Sequence, residues 1–371
     1  MVPARPRQVK TFGPGAALLL HEESQPRMLV PSPGALTAYG WSERIATLYH
    51  SAPAADPSRP GRVTRVERGA VVAVDATGAE QPYAPISTAA VGDWAILDGP
   101  RLTDVLPRWS SLDRQAPETG AVQVLAANVD LVLVTVPADR PSIARVEREV
   151  LLGWESGARP VVVITKADRA PSSLVDDLTG RIVGVDVVVT STPTETGVAE
   201  VAALCAPDRT AVLLGPSGAG KSSLTNALLR KHHQATGAVR SEDRRGRHTT
   251  SARSLLALPD GGVMIDTPGL RSLGLLGADH LEKAFPDIEE LATGCRFADC
   301  THNNEPDCAV LAAVAAGRLS GQRLSSYHKL RREAEAEHRR SDQAARRNAK
   351  RIWKQRTKEA RRYDKRHPPT Q

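Results

Sequence analysis

Residues 215–222 read Gly-Pro-Ser-Gly-Ala-Gly-Lys-Ser, the pattern G-x-x-x-x-G-K-[ST], and no other stretch constrains the fold as tightly. The apolar run Ala211 to Leu214 comes immediately before it, and the helix-like Ser223-Leu-Thr-Asn-Ala-Leu-Leu229 immediately after. Strand, loop and helix in that order is the context in which this pattern forms a phosphate cradle. Its glycines let successive backbone N–H groups turn toward one point, and the helix N-terminus adds a potential favourable to anions. Gly215, Pro216, Ser217, Gly218, Ala219, Gly220 and Ser223 are therefore expected around a nucleotide's phosphates. Lys221 would reach the β- and γ-phosphates, and the Ser222 hydroxyl would ligate Mg²⁺.

Further apolar runs, Leu131 to Val136, Pro160 to Ile164, Val185 to Val189 and Val263 to Ile265, recur with helix-like stretches between most of them. This predicts an α/β unit, a parallel sheet with helices on both faces. Asp266-Thr267-Pro268-Gly269 closes the last run, 44 positions after Ser222. Asp266 there can hold Mg²⁺ through water and the Gly269 N–H can meet a γ-phosphate, although D-x-x-G alone is also an ordinary turn. Guanine presents N1–H and an exocyclic NH₂ side by side, a donor pair that a carboxylate accepts and adenine lacks. The N-K-x-D element expected downstream for this purpose does not occur there. Thr165-Lys166-Ala167-Asp168 instead lies 50 positions before Gly215, directly after an apolar run. Asp168 would hold the guanine edge and Lys166 would pack on the base, with Thr165 in place of the usual Asn. The loop Thr190-Ser191-Thr192, and Ser191 within it, would border the base. Strands of a parallel sheet can be cut and rejoined without moving their ends, so the permuted order still assembles one pocket.

The order Thr165–Asp168, Gly215–Ser222, Gly246-Arg247-His248-Thr249-Thr250, then Asp266-Thr-Pro-Gly-Leu270, resembles the circularly permuted ribosome small-subunit-dependent GTPase A family. Ala126-Ala-Asn-Val-Asp130 resembles the start of that family's GTPase domain. Gly92-Asp-Trp94 with Leu106-Pro-Arg108 resembles its N-terminal OB-fold, and the cysteine segment 295–310 its zinc module. The likeness runs from about Gly61 to Leu330. It implies a GTPase that binds the small (30S) ribosomal subunit and its 16S rRNA late in assembly and leaves after hydrolysis. Thr250 would then sense Mg²⁺ and the γ-phosphate. Many GTPases orient the attacking water with a Gln after D-x-x-G, but Leu270 stands there, and His248 is the residue expected to do so. A permuted GTPase acting on another RNA or the large subunit stays open, as does an RNA-binding scaffold with GTP as a structural ligand.

Cys295-x₄-Cys300-x-His302-x₅-Cys308 supplies three thiolates and one imidazole, a closed four-ligand set suited to one structural Zn²⁺. Three of the chain's four cysteines lie in this segment, which is no disulfide framework, and Cys205 reads as a buried apolar thiol. Between Arg323 and Arg366 there are 17 Lys/Arg against 6 Asp/Glu, an excess larger than the whole chain's +7. With Tyr327, Trp353 and Tyr363 interleaved, this stretch reads as an RNA-binding helix. Short β-type segments separated by Gly turns between Arg62 and Leu106 read as a small OB-like barrel.

At 371 residues the chain is multidomain. The expected parts are an arm with a short helix (1–60), the OB-like barrel (61–115), the permuted GTPase domain (120–275), a zinc-binding helical domain (276–330) and a basic helix or tail (331–371). Apolar runs such as Ala16 to Leu20 are too short to span a bilayer, so a cytoplasmic protein not bound to membrane is expected. A monomer with no DNA partner is also expected.

Overall fold

The computed structural model describes residues 34–52, 59–67, 69–86, 88–115, 122–230, 253–266, 280–336 and 338–339. The arm before residue 34 and the tail beyond 339 lie outside them. No helix among the described residues is long and apolar enough to cross a membrane. The short helix expected within residues 1–60 comes in two pieces, a 3₁₀ segment Gly34–Tyr39 and α1 (Glu43–Ser51). Gly40 parts them with φ +86°, a left-handed turn that no helix continues through.

Five strands follow: β1 (Pro60–Glu67), β2 (Ala70–Asp75), β3 (Glu80–Tyr83), β4 (Trp94–Asp98) and β5 (Arg101–Val105). Antiparallel ladders join β1 to β2 and β4, β2 to β3, and β4 to β5, while a parallel bridge between Ala84 and Arg101 links the remaining ends. That closed ring is OB-like. Val63, Val71, Ala73, Leu97 and Leu102 fill it, and Leu36, Ile45 and Tyr49 pack with Trp94 outside it. The chain then makes an antiparallel pair, β6 (Ser111–Gln115) with β7 (Val122–Ala127).

The second half alternates strand and helix: β8 (Leu131–Pro137), α2 (Ile143–Glu155), β9 (Arg159–Thr165), α3 (Ser172–Gly180), β10 (Asp186–Val189), α4 (Val198–Cys205), β11 (Thr210–Leu214) and α5 (Lys221–Leu229). Two more strands follow, β12 (Ser254–Ala257) and β13 (Val263–Asp266). They stand in the order β10-β9-β8-β11-β13-β12, all parallel except β12. Alternate residues serve opposite faces, as the two-residue period of a strand requires. Val132, Val134, Val162, Ile164 and Val212 pack with α2 and α3, whereas Leu131, Leu133, Val161 and Val163 pack with α4 and α5.

Barrel and sheet share an edge, because β1 pairs with β12 at Arg65 and Ser254. Arg62, fully buried, crosses this seam: one guanidinium nitrogen donates to Thr210 Oγ1 at 2.7 Å, another to the Tyr39 carbonyl, and its plane lies over Trp94. Burial lowers its pKa to about 10, opposed by the charges of Asp130 and Asp93. Asp93 pairs with Arg108 at 2.7 Å, Asn128 Nδ2 donates to the Gly92 carbonyl, and Asp130 accepts from Trp109 Nε1 and the Thr210 N–H. Gly92-Asp-Trp94, Arg108 and Asn128 to Asp130 thus fasten the two halves together.

After β13 come α6 (Leu281–Ala284), α7 (Pro286–Ala292), α8 (Ala309–Ala315) and a helix over 321–336. Their apolar residues Phe285, Ile288, Val310, Leu324 and Tyr327 are continuous with the α2 and α3 core. Two residues read as part of an RNA-facing surface are not on the surface. Tyr327 is 7% exposed and stands edge-on to Phe285, so it offers no face for stacking. Arg323 is 8% exposed; it donates to Glu147 Oε1 of α2 at 3.0 Å, to both oxygens of Asp287 and to the Ala284 carbonyl. Charge patterning alone does not distinguish a solvated cation from a paired one. Arg323→Met leaves two carboxylates without their counter-ion and should cost about 3 to 5 kcal/mol. Urea unfolding measures this, and an unchanged midpoint would show that the network does not hold α2 to the C-terminal helices.

Candidate functional site

The carboxyl ends of parallel strands are where open α/β sheets bind ligands. Three loops meet there. β11 ends at Leu214, whose carbonyl accepts a hydrogen bond from Thr135 Oγ1 of β8 at 2.7 Å. Gly215 follows with φ +139°, and a Cβ there would stand 2.1 Å from the same hydroxyl, so only glycine lets the loop leave the strand. Lys221 opens α5, and its ammonium lies on the carbonyls of Gly215 and Pro216, 2.8 Å from each. Ser222 and Ser223 stand in the first turn of that helix, behind Pro216 to Gly220.

The second loop follows β9. Thr165 is buried, and its Oγ1 donates to the Ala219 carbonyl of the phosphate loop at 2.6 Å. A hydroxyl therefore makes the tie between the two loops. Lys166 takes a left-handed conformation (φ +57°), and Ala167 N–H donates to the Thr190 carbonyl. Asp168 accepts from Ser191 Oγ at 2.7 Å, with Arg169 Nε 3.9 Å from its other oxygen. Ser191 thus reaches Asp168, and the loop after β10 borders the loop after β9. The third loop leaves β8, and its Ala138 N–H donates to the Thr165 carbonyl at 2.8 Å. Asp266 ends β13, which lies beside β11, so it stands at the same edge as the phosphate loop. His248, Thr250, Gly269 and Leu270 lie outside the described residues.

Sequence reasoning passed over Glu149 on α2. It is 7% exposed, and burial raises its pKa, opposed by the hydrogen bond from Arg145 Nε (2.7 Å) and the charges of Arg145 and Lys221. A buried acid among arginines carries no motif, and only the fold brings it near Lys221.

The second site is in the C-terminal helices. One ligand atom from each of Cys295, Cys300, His302 and Cys308 falls within a common span of 4.8 Å. His302 Nδ1 is 3.6 Å from Cys295 Sγ and 3.5 Å from Cys308 Sγ. The helix α8 begins directly after Cys308, whose sulfur accepts from Leu311 N–H. Four soft or borderline donors converge on one point, a set that could hold a metal ion with no position left open.

A family model described as RsgA GTPase matches residues 105–276. A small ribosomal subunit biogenesis GTPase RsgA of Streptomyces coelicolor is 43% identical over 342 residues, covering 87% of this chain and 93% of that protein. The protein of the same name from Xanthomonas euvesicatoria is 42% identical over 291 residues, 73% of this chain and 80% of its own length. Among solved structures, YjeQ from Thermotoga maritima superimposes with a TM-score of 0.58 at 25% identity, covering 74% of this chain and 98% of that one. YloQ, a circularly permuted GTPase, gives 0.55 at 24% identity and shares the fold.

Proposed function

Because the chain belongs to the RsgA GTPase family, we propose that it hydrolyses GTP and serves the biogenesis of the small ribosomal subunit, binding that subunit through 16S rRNA and leaving after hydrolysis. The observation that carries this is the meeting of Thr165–Asp168, Ser191, the phosphate loop and Asp266 at one sheet edge, in an order that puts base reading before phosphate binding.

Asp168 accepts the guanine N1–H and NH₂, Lys166 packs on the base, and Ser191 keeps the carboxylate oriented. Backbone N–H groups from Gly215 to Ser223 surround the phosphates, and Lys221 leaves its loop carbonyls for the β- and γ-oxygens. Magnesium would be held by Ser222, Thr250 and, through water, Asp266, where it neutralises phosphate charge; Gly269 would meet the γ-phosphate. His248 orients the attacking water, since Leu270 has no group to do so. Cys295, Cys300, His302 and Cys308 would hold one zinc ion that stabilises the C-terminal fold. The barrel and the basic helix contact RNA, and the protein works as a cytoplasmic monomer.

Alone, turnover should be slow, about 10⁻⁴ to 10⁻² s⁻¹, as in G-proteins without an activator. Purified small subunits should raise it by orders of magnitude, with large subunits and ATP inert. Guanine-nucleotide binding without turnover under any of these conditions would instead favour a scaffold that uses GTP as a structural ligand.

A further inference from the structure

We propose that Arg140 is a second cation of the phosphate site, meeting the α- and β-phosphates of a bound guanine nucleotide; this rests on the GTPase reading above. Arg140 stands on the loop between β8 and α2, whose Ala138 N–H is bonded to the Thr165 carbonyl. Thr165 in turn holds Ala219 of the phosphate loop, so the three loops form one connected rim. The Arg140 N–H donates to the Pro137 carbonyl, and Pro141 follows, so the backbone is fixed as a tight turn.

Its side chain extends toward the middle of the phosphate loop. Gly218 has φ +76°, and a Cβ placed on it would find one neighbouring heavy atom within reach, Arg140 Nη2 at 4.0 Å. Arg140 is exposed, and among the described residues no carboxylate pairs with it. A guanidinium beside Gly218, with no carboxylate among the described residues to take its donors, is placed to meet negative charge on a bound phosphate. Lysine of this motif serves the β- and γ-phosphates, whereas the loop's own N–H groups cradle the α- and β-phosphates. A cation over Gly218 therefore meets the phosphates common to GDP and GTP.

The test is fluorescent GDP and GTP binding to the full chain carrying Arg140, Arg140→Ala or Arg140→Lys, over a range of ionic strength. Arg140→Ala should weaken both nucleotides equally, by roughly tenfold, the effect of one charged hydrogen bond. Arg140→Lys should recover part of the loss, and the alanine variant's affinity should depend less steeply on salt, which a purely structural role would not alter. Wild-type affinity and salt dependence in Arg140→Ala would overturn the assignment, as would a loss confined to GTP. Failure of the unsubstituted chain to bind either nucleotide would instead overturn the GTPase reading itself.

Discussion

Asp168→Asn should invert the base preference of the nucleotide site. The wild-type carboxylate is an acceptor only, and after taking the Ser191 hydroxyl hydrogen at 2.7 Å it still has lone pairs on both oxygens for the two donors of guanine. An asparagine amide replaces one acceptor by an NH₂ donor, which then opposes a donor of the base. Xanthine carries a carbonyl where guanine has its NH₂, so its edge complements the amide. A site built to hydrogen-bond particular donors of its ligand rejects a partner lacking them by about 10⁴-fold, and the GDP-to-XDP preference should swing on that scale. Competition of the two diphosphates against a fluorescent probe measures it. A variant that binds GDP as the wild type does would remove Asp168 from base recognition. Thr165 holds this loop through its own hydroxyl on Ala219, and the Oδ1 of an asparagine can still accept from Ser191, so the substitution changes the edge without releasing the loop.

Removal of the zinc ion proposed at Cys295, Cys300, His302 and Cys308 should have the largest effect on stability. Binding of zinc to short Cys/His modules is worth about 10 to 16 kcal/mol, most of it folding energy. Segment 295–308 has little regular structure between α7 and α8 beyond what its four ligands organise. Its loss would not stay local, since Phe285, Ile288 and Tyr327 belong to the same core as α2 and α3. Cys308→Ala, or the wild type after chelation, should lose one zinc per chain and amide protection over the C-terminal helices, with Tm lower by roughly 10 °C or more. A chelated protein that keeps its melting temperature and its protection would show that the four residues need no ion.

The parallel strands β8, β9, β11 and β13 were legible because both their faces are covered, which writes them as uninterrupted apolar runs. β3 was not, since Glu80-Gln-Pro-Tyr83 exposes three of its four residues and carries a proline. The phosphate loop, Thr165–Asp168 and the cysteine cluster could be read because their chemistry demands fixed residue types at short spacings. Arg140 and Glu149 have no such spacing to the loop they approach, and only the packing of α2 and its preceding turn brings them there. Tyr327 and Arg323 show the converse: a basic, aromatic-bearing stretch suggests a surface, yet the three-dimensional partners Phe285, Glu147 and Asp287 draw both inward.

The position of β8 between β9 and β11 also bears on how the protein is made. All seven residues of β8 are buried, and it must be paired on both sides. During translation β8, β9 and β10 emerge before β11, with the loops that carry Thr165–Asp168 and Ser191, and can assemble as three parallel strands. The other edge of β8 then waits, apolar and unpaired, until residues 210–214 leave the ribosome, an exposure that invites association with other chains. A nascent chain from which β10 but not β11 has left the ribosome would thus hold half a pocket and an open edge, and the last strand of the site comes into place only once Asp266 has emerged.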